Sequence, residues 1–254
     1  RTVKETVHAT GLQATPHPPV IVWFRFISIG DKYKTKKFNF ILTIDELKDF
    51  FYKSIDDYTR WHQTLSVAST VKLDTLKDIT FPFANKRQGQ SELMKATYLT
   101  MKANSILYAI APTGIGKTMA TIFSTLKSMT KPNEKLFYLT AKTIGREVAI
   151  DSFRMLQNEG LKLHAIVISS KAKSCASKMQ HCDPEKCSFA KGYFSRLRQA
   201  IEDIYTNEIL YNQETIMKYA LKYNICPFEY SLDLSYFCDA IICDYNYVFD
   251  PKAH

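Results

Sequence analysis

No stretch of this sequence approaches the roughly 20 consecutive apolar residues that a membrane-crossing helix requires, so no membrane partner is expected. Arg1 opens without the charged, apolar and small-residue blocks of a secretory leader, and both natural ends are expected to lie beyond these 254 residues. Internal repeats and low-complexity tracts are lacking, which excludes a repeat array or a biased linker as the bulk of the chain. Disulfide staples are not expected either. Six cysteines in an otherwise enzyme-like chain, four of them in one span, read as metal ligands in a reducing cytosol.

What is present suits a globular protein. With 46% apolar and 13% aromatic residues, the chain can bury one large domain or a domain and a half. Lys and Arg exceed Asp and Glu by 34 to 25, and the resulting charge of +9 suits a polyanion such as nucleic acid, although a basic enzyme with another partner has the same balance.

The first 20 residues, with Gly11, Pro16, Pro18 and Pro19, carry no periodicity. Val20 to Ile29 and Lys37 to Leu42 are β-branched and aromatic, which predicts two paired strands. Thr43 and Glu46 form a capping box, and Leu47, Phe50, Phe51 and Tyr58 predict a helix ending near Trp61. A polar connector over 64–80 follows, then FPFANKRQGQ and a helix with Leu93, Thr97 and Met101 on one face. Strands are predicted at Ile106 to Ile110, Lys135 to Leu139 and His164 to Ile168, alternating with helices from Lys117 and around Ala149, Phe153 and Leu156. Such alternation implies an α/β fold, a parallel sheet with helices on both faces. The strand signal vanishes between Ser169 and Tyr230, where helical patterns run from Ser195 to Tyr205 and Thr215 to Tyr223, and returns at Asp239 to Cys243.

APTGIGKT fits a phosphate loop with Ala111 in place of the first glycine. Gly114 and Gly116 permit the tight turn through Pro112, Thr113 and Ile115, so that backbone N–H groups at a helix N-terminus ring a phosphate. Lys117 would place its charge on the β- and γ-phosphates, and the Thr118 hydroxyl would bind Mg²⁺.

Cys175, Cys182 and Cys187 are separated by six and four residues, and Cys226 follows after 38 more. Thiolates suit zinc or an iron-sulfur cluster, and the lack of tight cysteine pairs leans away from zinc. Cys238 and Cys243 read as core thiols. Beside the first ligand, SSKAKSCASK places Lys171 and Lys173 among serines, a composition suited to a phosphate backbone and equally to a solvated loop. Tyr193, Phe194, Arg196 and Arg198 offer groups that would support unstacked bases, with at least one ring expected in the core.

With the loop, the RQGQ element and the four cysteines together, the chain resembles the DinG and XPD family of iron-sulfur superfamily-two DNA helicases, most of all its bacterial DinG-like branch. The resemblance runs from about Phe81 to Pro251. It implies a RecA-like motor domain, ATP and Mg²⁺ as cofactors, and a four-iron four-sulfur (4Fe-4S) cluster on the four cysteines. It also implies a bacterial, cytoplasmic motor that is monomeric, meets single-stranded DNA and duplex junctions, and moves 5′ to 3′. Arg87 and Gln90 would then contact the nucleotide base or its surroundings, and YLTAKT would bring Thr140, Lys142 and Thr143 to the DNA backbone. DYNYVFDP resembles an element upstream of the DEAH box, because Tyr245 stands where a catalytic Glu would follow Asp244. On that reading the Mg²⁺-organising Asp, the water-activating Glu and the second RecA-like domain all lie outside this sequence.

The implied division is an N-terminal α+β piece at 1–63, a connector at 64–80, the first motor domain at 81–168, the four-cysteine insertion at 169–230, and a return to the motor at 231–254. The N-terminal piece is similar in position to the tail of a nuclease-like domain, yet the carboxylates and lysine of a metal-dependent nuclease cannot be assembled in it. Two other readings use the same motifs. One is a P-loop phosphotransferase with structural zinc, and the other is a zinc-containing nucleic-acid-binding module with an idle loop.

Overall fold

A computed structural model of the chain describes residues 20–28, 34–141, 143–177, 182–183 and 185–250, with backbone only at 20–28, 34–37 and 143. Its contacts divide into one unit ending at Thr64 and another beginning at Leu65.

The first unit pairs β1 (Val20–Ser28) with β2 (Lys34–Leu42) as an antiparallel ribbon, in register from Val20 with Leu42 to Ser28 with Lys34. Helix α1 (Ile44–Asp78) begins here. The capping box forms as the sequence implies, with the Thr43 N–H donating to Glu46 Oε2 at 2.7 Å and the Glu46 N–H to Thr43 Oγ1 at 3.2 Å. These bonds hold the Glu46 carboxyl below its ordinary range. The aromatic stripe of Phe50, Phe51 and Tyr58 is exposed.

The second unit corrects the expected connector at 64–80. Helix α1 continues to Asp78, because Leu73, Leu76 and the following Ile79 pack into the main core. Sequence reasoning missed this face because it is built partly from polar types: Lys72 is buried, and Thr75 Oγ1 accepts the Lys162 N–H at 3.1 Å.

After α1 come α2 (Gln90–Lys102), α3 (Lys117–Ser128), β3 (Leu136–Leu139), α4 (Thr143–Asn158), β4 (Ala165–Val167) and the short α5 (Lys171–Ser174). Then follow α6 (Tyr193–Asn207), β5 (Leu210–Tyr211), α7 (Gln213–Tyr223), α8 (Pro227–Ser235), β6 (Ala240–Cys243) and α9 (Asn246–Phe249). The sheet runs β3-β6-β4-β5 and every pairing in it is parallel. One face carries Leu136, Ala165, Val167, Ala240 and Ile242 against Ile122 and Leu126 of α3 and Ala149, Phe153 and Leu156 of α4. The opposite parity places Ile166 and Ile241 toward the side where α8 lies on β4. This is the α/β sheet with helices on both faces that the alternation implies.

Two strand expectations need correction. Ile106 to Ile110 forms no strand, and Ile106, Tyr108 and Ile110 are almost wholly exposed. A strand needs a neighbouring edge, and none reaches this segment among the described residues. The stretch from 169 to 230 is also not wholly outside the sheet. It contributes β5 at the edge beside β4, two residues too short to leave an alternating pattern.

At the N-terminal end of the strands the core is closed by a buried polar knot. Asp239 Oδ1 pairs with Lys72 Nζ at 2.7 Å, and Asp239 Oδ2 accepts the His164 N–H at 3.2 Å. Lys72 Nζ also donates to the Pro132 carbonyl at 2.6 Å. The His164 ring stacks on Tyr205 with centroids 3.9 Å apart, and its Nδ1 lies 2.5 Å from the Tyr211 hydroxyl. Burial lowers the His164 pKa to about 4, so the ring is neutral at pH 7.

Because the folded pKa lies below the unfolded value of about 6.5, the unfolded chain binds the extra proton between those limits. The contribution of neutral His164 is complete above about pH 6.5 and is lost as pH falls toward 4. Urea unfolding of the wild type and His164→Gln at pH 7.5 and pH 4 is therefore expected to show their stability difference shrinking by about 3 kcal/mol at the lower pH. A difference that stays constant with pH contradicts a buried neutral ring.

Candidate functional site

The glycine loop of 111–116 ends at α3. Gly114 and Gly116 adopt φ of 87° and 78°, a region that favours glycine, and α3 starts at Lys117 with no side chain capping its first N–H groups. Those groups are left for an anion. Lys117 is exposed and its Nζ folds back onto the carbonyls of Ala111 at 3.0 Å and Pro112 at 2.6 Å. Thr118 Oγ1 lies 3.2 Å from the Tyr138 hydroxyl on β3.

Arg87 and Gln90 reach the backbone of this loop. Arg87 Nη1 donates to the Gly114 carbonyl, and the buried Gln90 donates to the Gly116 carbonyl at 3.4 Å. The Arg87 N–H in turn donates to Gln90 Oε1 at 3.0 Å. The contact is close: a Cβ on Gly116 would stand 2.5 Å from Gln90 Nε2. These two residues brace the turn from behind, a role that the spacing of RQGQ alone does not disclose.

Cys175, Cys182, Cys187 and Cys226 line one cavity of about 300 Å³, together with Lys171 and Phe228. Cys175 follows α5, with its N–H on the Lys171 carbonyl at 3.0 Å. Cys187 sits in a turn closed by its N–H to the Asp183 carbonyl at 2.9 Å. Cys226 precedes α8, where burial pushes its thiol pKa up while the N–H groups of Phe228 and Glu229 oppose that shift. A hydrogen bond to Cys182 raises the Lys171 pKa. Among the described residues, no set of three or more His, Cys, Asp or Glu converges to hold a single metal ion. Cys238 and Cys243 are core thiols, as expected: both are buried, and burial pushes Cys243 up to about 11.

Arg196 reaches the backbone of the loops that carry the cysteines. Its Nη2 donates to the carbonyls of Lys191 at 2.8 Å, Asn224 at 2.8 Å and Ser188 at 3.4 Å. It thereby ties the loop after Cys187 to the turn before Cys226. Tyr193 is buried with its hydroxyl on Asp233 at 2.7 Å, Arg198 pairs with Glu202, and Phe194 is exposed.

The DNA-contacting candidates meet at the C-terminal edge of the sheet only in part. The Thr140 N–H donates to the Cys243 carbonyl at 3.0 Å, and Thr143 opens α4. Lys171 and Lys173 are exposed on α5, whereas Lys142 lies outside the described residues. Asp244 Oδ1 accepts the Asn246 N–H at 3.0 Å, which closes a short turn leading into α9.

A family model described as DEAD_2 matches residues 154–254, from the last turns of α4 through the cysteines to the last strand and beyond. No curated protein matches the chain. Among solved structures, one named "XPD_Helicase" is similar at 21% identity with a TM-score of 0.48, over 67% of this chain and 30% of that one. The chain therefore spans less than a third of that structure's length.

Replacing Arg196 by Gln removes the tie between two cysteine loops. Hydrogen exchange is expected to quicken about tenfold or more at 188–191 and 224–226, as loss of one or more bonds from a charged donor implies, while α3 and α4 keep their protection. Unchanged exchange in both loops shows that other contacts hold them.

Proposed function

We propose that the chain is the nucleotide-binding front part of an ATP-dependent DNA helicase motor that carries a four-cysteine iron-sulfur centre. The observation that carries this reading is the presence, in the unit beginning at Leu65, of both an uncapped glycine loop at α3 and four thiols around one cavity. The DEAD_2 match supports it, since residues 154–254 contain all four cysteines.

Each residue has a definable task. The N–H groups at the start of α3 and the Lys117 ammonium would receive the β- and γ-phosphates once Nζ leaves the carbonyls of Ala111 and Pro112. Thr118 would turn its hydroxyl from Tyr138 toward Mg²⁺. Arg87 and Gln90 occupy the carbonyls of Gly114 and Gly116, and the N–H groups of the loop would then face the anion. Thr140, Thr143, Lys171 and Lys173 would contact the DNA backbone without reading bases.

The cavity suits a multinuclear centre. In such a centre each thiolate meets a different metal atom, so four sulfurs can ring about 300 Å³, whereas zinc draws its ligands to one point at about 2.3 Å. When bound, a 4Fe-4S cluster would supply a covalent cross-link between α5, the loops around Cys182 and Cys187, and the start of α8. The bacterial, DinG-like and 5′ to 3′ assignments follow the same reading. Little ATP turnover is expected from these residues alone, because Tyr245 stands where a water-activating Glu would follow Asp244 and a second motor domain is needed for closure.

Titration with a fluorescent ATP analogue tests the nucleotide assignment. Lys117→Ala is expected to weaken binding about tenfold or more, the loss of a charge-assisted bond to phosphate, with no change in thermal midpoint. Equal affinity in both proteins overturns the loop assignment.

A further inference from the structure

The two polar side chains that open α3 are held by different parts of the protein. Lys117 turns back on carbonyls of the glycine loop itself, those of Ala111 and Pro112. Thr118, in the first turn of α3, instead reaches across to the sheet, where its Oγ1 lies 3.2 Å from the Tyr138 hydroxyl. Among the described residues neither hydroxyl has another hydrogen-bond partner.

The place of Tyr138 is set by β3. Leu136 and Tyr138 share one face of the strand. Leu136 is buried in the core with Ile122 and Leu126 of α3, and the Tyr138 ring packs against that same core. Phe137, of opposite parity, is 54% exposed. A ring already fixed by packing holds its hydroxyl in place with little further loss of entropy, so the contact to Thr118 belongs to the folded sheet.

A phenol is the better hydrogen-bond donor and an aliphatic hydroxyl the better acceptor, which puts the Tyr138 proton on a lone pair of Thr118 Oγ1. A hydroxyl ligates Mg²⁺ through a lone pair as well, and an oxygen whose electrons are drawn to a cation accepts poorly. Contact with Tyr138 and ligation of Mg²⁺ are therefore alternatives for Thr118. At 3.2 Å the contact is long for an O–H···O bond, which seldom exceeds about 3.0 Å, so it opposes the metal without excluding it.

We propose that Tyr138 is a positioning residue of the nucleotide site, which holds the Thr118 hydroxyl against β3 and so sets how strongly nucleotide binding depends on Mg²⁺. The inference rests on the nucleotide reading of the glycine loop and deepens it. ATP without metal is received by the N–H groups of α3 and by Lys117 with the Thr118–Tyr138 contact intact. With Mg²⁺ present, Thr118 has to leave Tyr138.

The test is a titration of the full chain with a fluorescent ATP analogue, once in excess Mg²⁺ and once in EDTA at equal ionic strength. In Tyr138→Phe the ratio of the two affinities, Mg²⁺ over EDTA, is expected to rise about threefold, because one neutral hydrogen bond no longer has to be displaced. Affinity in EDTA is expected to stay unchanged, which also shows that the variant folds. Thr118→Val is expected to lower the ratio, and adding Tyr138→Phe to it is expected to change the ratio no further, since both residues act through one contact. A ratio that is equal or lower in Tyr138→Phe overturns the role of Tyr138 and leaves the nucleotide reading intact. Equal loss of affinity in Mg²⁺ and in EDTA assigns Tyr138 to packing alone and overturns the proposal too. Wild-type binding that is indifferent to Mg²⁺ removes Thr118 as a ligand, and the proposal with it. No wild-type binding under either condition overturns the nucleotide reading itself.

Discussion

One carboxylate holds the main unit together. Asp239 binds Lys72 of α1 and the His164 backbone through its side chain, and its own carbonyl accepts the Leu136 N–H at 2.8 Å. It thus joins α1, β3, β4 and β6 at the N-terminal end of the sheet. A buried ion pair adds little net stability, but removal of either partner leaves an uncompensated charge and is strongly destabilising. The knot therefore works as a specification of register, fixing how four elements meet. With that end closed, the C-terminal ends of the strands are left to Thr140, Ser169 and Asp244, and to function.

The same logic of backbone groups held in place recurs at both halves of the site. Arg87 and Gln90 engage the carbonyls of Gly114 and Gly116, which leaves N–H groups at the start of α3 to face an anion. Arg196 engages three carbonyls on two loops beside cysteines, which ties the loop after Cys187 to the turn before Cys226. In each case a polar side chain several residues from the chemistry fixes a loop whose own conformational entropy would otherwise oppose order. On the proposed function, Lys117 turns toward a phosphate when it leaves the carbonyls of Ala111 and Pro112.

Much of this was legible in the sequence wherever a periodic or chemical signal was strong. Ala149, Phe153 and Leu156 form the buried face of α4, the capping box at Thr43 closes as its spacing implies, and the cysteines gather around one cavity. What escaped depends on partners far along the chain. Lys72 reads as solvated until Asp239, 167 positions later, is seen beside it, and this hid the second half of α1. Ile106 to Ile110 has strand composition but no neighbouring edge among the described residues. Arg196 looks like a surface cation, and only the folded loops supply its carbonyl partners. Local propensity is visible in a sequence, whereas the satisfaction of polar groups over long range is not.

The coupling of a nucleotide loop to a thiol-bound inorganic centre in one folded unit is the core of this reading. Iron, acid-labile sulfide and zinc content of the chain purified without oxygen measures that most directly, with Cys226→Ser as the comparison. The expected result is about four iron and four sulfide per chain in the wild type, with marked loss in the variant and no zinc. One zinc per chain, or metal content indifferent to Cys226, would contradict the assignment.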